Sequence, residues 1–333
     1  RIDAANSGTV TNVTGRFSNI QNLVGGTNTD NFVLSGTGSV EGNIDGGIGA
    51  IDNRLTARDD TINDWSIDAA NSGTVTNVTG RFTNIQNLVG GTNTDNFVLL
   101  GTGSVEGNIV VGIGAIDNRL TARDDTINDW RIDAATSGTV TNVTGRFSNI
   151  QNLVGGTNTD NFVLFGTGSV EGNIDGGIGA IDNRLTARDD TINDWRIDAA
   201  NSGTVTNVTG RFSNIQNLVG GTNTDNFVLL GTGSVEGNID GGIGAIDNRL
   251  TARDDTINDW RIDAANSGTV TNVTGRFSNI QNLVGGTNTD NFVLSGTGSV
   301  EGNIDGGLGA IDNRLTARDD TINDWRIDAA NSG

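Results

Sequence analysis

Apolar residues recur along the chain in short runs of Val, Ile, Leu and Phe, each bounded by Gly, Asn, Thr or Asp. Runs of that length between turn residues predict β-strands joined by tight corners. No apolar stretch exceeds a few residues, so no membrane-spanning helix is expected. The pattern also repeats as a whole. Arg1, Ser66, Arg131, Arg196, Arg261 and Arg326 open successive copies, and Trp65, Trp130, Trp195, Trp260 and Trp325 close them. The copies are 1–65, 66–130, 131–195, 196–260 and 261–325, and 326–333 begin a sixth. Near-identical repeats of this length read as one unit stacked on itself in a continuous solenoid. The few departures include Val110 and Val111 in copy two, Thr136 in copy three and Leu308 in copy five.

A fainter period lies inside the unit. Asn22-Leu23-Val24-Gly25-Gly26 recurs 21 residues later as Asn43-Ile44-Asp45-Gly46-Gly47. Cut on that period, the unit gives three rungs, 1–21, 22–42 and 43–65. The fold class expected is all-β, a parallel β-helix or β-solenoid with about three rungs per repeat. The crossover rule favours a right-handed coil. Ile2, Val10, Val13, Phe17 and Ile20 would stack on Leu23, Phe32, Leu34 and Val40, and rung three would add Ile44, Ile48, Ile51, Leu55, Ile62 and Trp65. Helices are a poor competitor, because Gly supplies 50 of 333 residues and each costs about 1 kcal/mol in a helix interior. An array of β-sandwiches would want Asn-Gly or Asp-Gly hairpin turns, and only Asp45-Gly46 and its equivalents supply one. Rungs stack about 4.8 Å apart, so about fifteen would give a rod roughly 70–75 Å long.

Charge narrows the partners. The net charge is −20, spread evenly over the repeats, and every cation is Arg. Such a surface repels nucleic acid and anionic lipid and favours divalent cations. Neither Cys, His, Tyr, Lys nor Met occurs. Nucleophile and base chemistry is therefore confined to carboxylates. A catalytic groove would need a unique site, whereas identical repeats would make five of them, so no enzyme is expected. The first residue is not Met and both ends fall inside a repeat. That pattern predicts a segment of a longer array, or a subunit that stacks end to end.

The run Gly25-Gly26-Thr27-Asn28-Thr29-Asp30-Asn31-Phe32-Val33 resembles the calcium-binding nonapeptide of RTX proteins, with Asn28 where that motif has a third Gly. A looser version follows in Asp45-Gly46-Gly47-Ile48-Gly49-Ala50-Ile51-Asp52. The stretch from Phe17 to Leu55 is similar to repeats of giant haemagglutinin-like and RTX-type surface adhesins of Gram-negative bacteria. The resemblance implies secretion, a cell-surface location and possible use of Ca²⁺, with no cofactor strictly required. Carried across, the candidate ligands are Asp30, Asp52, Asp95, Asp117, Asp160, Asp182, Asp225, Asp247, Asp290 and Asp312. The half-motifs stand 21 residues apart rather than in tandem, which leaves the oxygen shell short of the six to eight ligands that Ca²⁺ takes. The competing reading makes Gly-Gly a corner in which Asp30 accepts backbone hydrogen bonds. Val110 and Val111, standing where Asp45 and Gly46 stand elsewhere, show that Asp45 is not needed in every copy.

Other features have plainer readings. Trp65 is expected to fill the third rung rather than display a sugar-binding ring. Asp59 and Asp60 after Arg58 read as a solvated loop with Arg–Asp pairs. The Thr9-Val10-Thr11 pattern recurs too sparsely for an ice-binding lattice. Leu100, Phe165 and Leu230 occupy the position of Ser35 and Ser295, and in line they would form a lateral contact stripe.

The function expected is structural: a repeat segment of an extracellular fibre or adhesin stalk, self-associating end to end or side by side. Host or surface glycans would be met by parts outside this segment. One alternative is a calcium-rigidified adhesin segment. The other is a β-helix that binds or cleaves carbohydrate.

Overall fold

A computed structural model describes residues 1–114, 116–309 and 312–330. Among them every regular element is a strand and none is a helix. Residues 331–333, the last of the sixth copy's opening, lie outside the described residues. The chain divides into two compact units, Arg1–Thr186 with Asn207–Ile215, and Ala187–Thr206 with Gln216 onward.

In the first unit the chain passes alternately between two sheets. After Asn87–Val89 in one sheet comes Asp95–Leu99 in the other, then Ile109–Val110, Arg119–Thr121 and Asn128–Ala134, switching each time. Successive passes through one sheet pair in parallel, as a β-solenoid requires. Phe97 lies beside Leu120, Leu120 beside Leu153, Leu153 beside Ile174 and Ile174 beside Phe212. The second unit does the same, with Phe227 beside Leu250, Leu250 beside Leu283 and Leu283 beside Ile304. The fold class read from the sequence is therefore the observed one.

The register refines the rung count. Leu23 pairs with Ile44, which is the 21-residue sub-period of the sequence. The other steps differ, because from the end of copy one onward each boundary between full copies opens an antiparallel meander, such as Asn128–Ala134, Ser137–Val140 and Val143–Ser148 where copy two passes into copy three. Counting the meander as one pass, a repeat makes five passes, or two and a half turns, against the three expected. Five is odd, so each copy begins in the sheet opposite to its predecessor. Trp65 and Trp130 stand in opposite sheets of the first unit, and Trp195 and Trp260 in opposite sheets of the second.

The meander turns do not use Asn-Gly. They use single asparagines in the left-handed region, Asn71 at φ 52° and Asn77 at φ 71°, which Asn tolerates better than other non-glycine residues. In copy three Thr136 takes the first of these places at φ 48°, a costlier choice for a β-branched residue. The meander also explains why Ile2 lies beside Leu34 rather than Leu23, since its extra length displaces the expected stack.

Alternation builds the core. In Asp95–Leu99 the first, third and fifth side chains are buried and those between are half-exposed. Trp130 stacks on Phe162 with ring centroids 5.3 Å apart and meets Phe147 edge-on at 5.9 Å. The inward place expected for Trp65 is observed, for it is 1% exposed. Val10, Val13 and Ile20 are exposed in the first copy alone, but three other expected core positions are exposed in every described copy. Ile48, Ile51 and Ile62 are 86%, 80% and 57% exposed. Ile48 and Ile51 sit on the loop turned by Gly47 and Gly49 at positive φ, between strands rather than in one, and Ile62 follows the exposed Asp59-Asp60 loop.

Candidate functional site: the glycine–aspartate corners

The corner at Gly25-Gly26, like its equivalents, is locked by the aspartate five residues after its first glycine, whereas at Gly46-Gly47 the Gly47 N–H donates to the preceding Asp45 at 2.9 Å. The Gly156 N–H donates to Asp160 Oδ2 at 2.9 Å, and Gly221 and Gly286 do the same with Asp225 and Asp290. The glycine before each donor is obligatory, because a Cβ on Gly155 would collide with the Asp160 carboxylate. From beneath, the Trp130 indole N–H points at Asp160 Oδ1 at 3.5 Å, and the Asn258 amide donates to Asp290 Oδ1 at 2.8 Å. Asp95, Asp160, Asp225 and Asp290 are fully buried. Asp30, in the first copy, is half-buried.

The second set of candidate aspartates is placed elsewhere. Asp52, Asp117, Asp182, Asp247 and Asp312 are exposed. Their neighbours do the structural work. The Asn53 side chain accepts the Asp30 N–H at 2.9 Å and donates to the Gly46 and Asn84 carbonyls at 2.8 and 2.9 Å, and its backbone N–H donates to Gln86 Oε1 at 2.9 Å. All its groups are satisfied in a buried place, as burial demands. Sequence reading favoured Asp52 for its charge and passed over Asn53, a neutral side chain able both to donate and to accept.

The fit to calcium can be judged on these contacts. Four of the five corners hold one buried carboxylate faced by N–H donors, although among the described residues Asp95 Oδ2 and Asp225 Oδ1 have no hydrogen-bond partner, and the companion aspartate is out in solvent. Among the described residues no three acidic side chains come together as metal ligands. Copy two replaces Asp45 and rebuilds that corner, for Gly47, Gly177 and Gly242 take φ 83°, whereas Gly112 does not take a positive φ and Asp117 does, at 81°. The Asn84 amide bonds Asp45 at 2.7 Å, and with Val110 in that place the equivalent Asn149 turns to the Val111 carbonyl at 2.8 Å.

Burial pushes the Asp95, Asp160 and Asp225 carboxyls up to about 6, against surrounding N–H donors that favour the charged form. Asp290 is raised for the same reason. A carboxyl raised from 3.8 to about 6 binds more protons folded than unfolded. Its contribution is therefore complete at pH below 3.8 and lost as pH rises through about 6. Aspartates hydrogen-bonded by arginine, such as Asp68 to Arg81 and Asp133 to Arg146, are held low and lose their contribution only in stronger acid. The apparent melting temperature should rise by several degrees on going from neutral pH to about pH 5. Replacing Asp95, Asp160, Asp225 and Asp290 with Asn should flatten that slope. An unchanged slope would assign it to other groups.

The lateral positions do not form one line. Leu100 and Phe165 are 41% and 45% exposed, and Leu230 is half-buried. Leu100 follows Asp95–Leu99 and Phe165 follows Asp160–Leu164, strands of opposite sheets. The leftover half-turn of each repeat thus parts them. Phe165 carries the Arg131 guanidinium 3.8 Å above its ring. The Arg–Asp loop pairs are as expected, with Arg58 on Asp60 at 2.6 Å and Arg123 on Asp125 at 2.7 Å. No family model, no curated protein and no solved structure matches the chain.

Proposed function

We propose that this chain is a structural repeat segment of an extracellular fibre or adhesin stalk, on the surface of a bacterium of the Gram-negative type. The supporting observation is that one register serves every copy. The parallel pairing that joins Trp130 to Phe162 recurs between Trp195 and Phe227 and between Trp260 and Phe292. Adding a copy then adds core and ladder without altering those already present, which suits a part whose property is length. Self-association and any glycan receptor beyond this segment belong to the same reading.

Constructing arrays of three, five and seven copies tests it. Particle length in negative-stain images should grow by about 12 Å per copy, two and a half strand spacings of about 4.8 Å. Particles that widen or collapse at constant length would refute it. A calcium-rigidified version of the stalk separates in the same experiment. With no three acidic side chains converging at a corner among the described residues, the melting temperature in chelator should match that in excess Ca²⁺. A large rise with Ca²⁺ would instead require ligands recruited by rearranging the corners.

A further inference from the structure

We propose that the outer face of the sheet binds an extended neutral oligosaccharide along polar rows centred on Arg119 and Arg249. Beside the inward Phe97, two outward rows cross successive strands of the first unit. One runs Asn96, Arg119, Asn152 in direct register, and the Asn173 N–H continues it by donating to Asn152 Oδ1 at 3.0 Å. The other runs Val98, Thr121, Val154, Asp175 and Ser213. Between them lies a shallow groove of about 400 Å³, to which Asp117 also contributes. The second unit carries the same groove, about 340 Å³, on Asn226, Arg249, Asn282, Val284, Asn303 and Asp305.

Among the described residues the central arginine has no side-chain partner. In the same stretch Arg123 holds Asp125, Arg146 holds Asp133 and Arg131 lies over Phe165. Arg119 and Arg249 make no side-chain hydrogen bond or ion pair among the described residues. Asn96 donates to Asp64 at 2.8 Å and Asn226 to Asp194 at 2.8 Å, which leaves each amide oxygen to accept. The groove thus sets planar donors and acceptors along one line, with Val154 or Val284 as an aliphatic strip beside them. A pyranose chain presents hydroxyl groups at its edge and C–H groups on its face, and meets both. The strand spacing of about 4.8 Å is comparable to one sugar unit, so an extended chain laid across the strands keeps step with the row. A polyanion is disfavoured, because the groove holds carboxylates and the chain carries −20.

The test uses the full chain against a panel of neutral and acidic oligosaccharides, followed by calorimetric titration of whatever is retained. Two variants are compared. One carries Arg54, Arg119, Arg184, Arg249 and Arg314→Ala, and the other carries Arg58, Arg123, Arg188, Arg253 and Arg318→Ala, with an equal change of charge. The first should weaken binding of a neutral glycan at least about tenfold, with its melting temperature kept, and the second should leave binding alone. Failure to retain any neutral glycan, retention of acidic glycans only, or equal loss in both variants would overturn the assignment.

Discussion

A single copy, residues 66–130, produced alone will stay unfolded, whereas three consecutive copies will fold cooperatively. The chain itself contains the comparison that leads there. Val75, Val78, Ile85 and Val89 of copy two are 3%, 5%, 0% and 8% exposed. Their equivalents Val10, Val13, Ile20 and Val24, identical in sequence but not packed against another copy on that side in this structure, are 53%, 49%, 43% and 72% exposed. The meander of each copy is therefore covered by the preceding one, through contacts such as Ile44 beside Phe82 and Val40 beside Val78. Those four side chains together gain a few kcal/mol from that cover, at about 25 cal/mol per Å² of apolar area. An isolated copy forgoes this and the matching cover on its other side, while bearing the full ordering cost of its backbone. Circular dichroism against copy number decides the matter. A cooperative melt from one copy would mean that the repeat is a self-sufficient domain.

The same dependence explains what could be read from the sequence. The parallel coil was legible because Leu23 and Ile44 lie in matching Asn-x-x-Gly-Gly contexts, and their spacing equals one step of the ladder. The meander was hidden. Its turns rest on lone asparagines such as Asn77, which look the same in sequence as the asparagines that line the strands. Missing it gave three rungs instead of two and a half turns, and with them the lateral line through Leu100 and Phe165. Ile48 and Ile51 misled for the converse reason. Composition marks them as core, but only the backbone shows that the glycines around them lead the chain away from both sheets. At the corners the Gly-Gly and the aspartate stood out, and their roles as a tight turn and its cap were among the readings available. The fully hydrogen-bonded Asn53 beneath did not stand out, because a neutral amide leaves no mark in charge or hydropathy.

Replacing Trp130 with Ala should cost about 3–5 kcal/mol, the range for deleting a large buried aromatic, while the same change at Trp325 should stay within about 0.5 kcal/mol. The two residues close near-identical repeats, within the same Asn-Asp-Trp-Arg-Ile-Asp-Ala sequence, and differ chiefly in what lies on them. Trp130 is 1% exposed and wedged between Phe162 and Phe147, whereas Trp325 is 60% exposed. Deleting the indole leaves a cavity between two strand passes that parallel pairing holds in place, so neighbouring side chains cannot close it without breaking the ladder from Trp130 to Phe162. It also removes the N–H that faces Asp160 at 3.5 Å, leaving that buried carboxylate with one donor fewer. Each pass touches only its neighbours, so the damage should stay near copies two and three. Hydrogen exchange should then show lost protection around 128–164 and near-normal protection around 282–305. Loss spread evenly over the chain would mean that the repeats fold as one indivisible unit, and an equal cost at Trp325 would mean that the indole acts within its own copy.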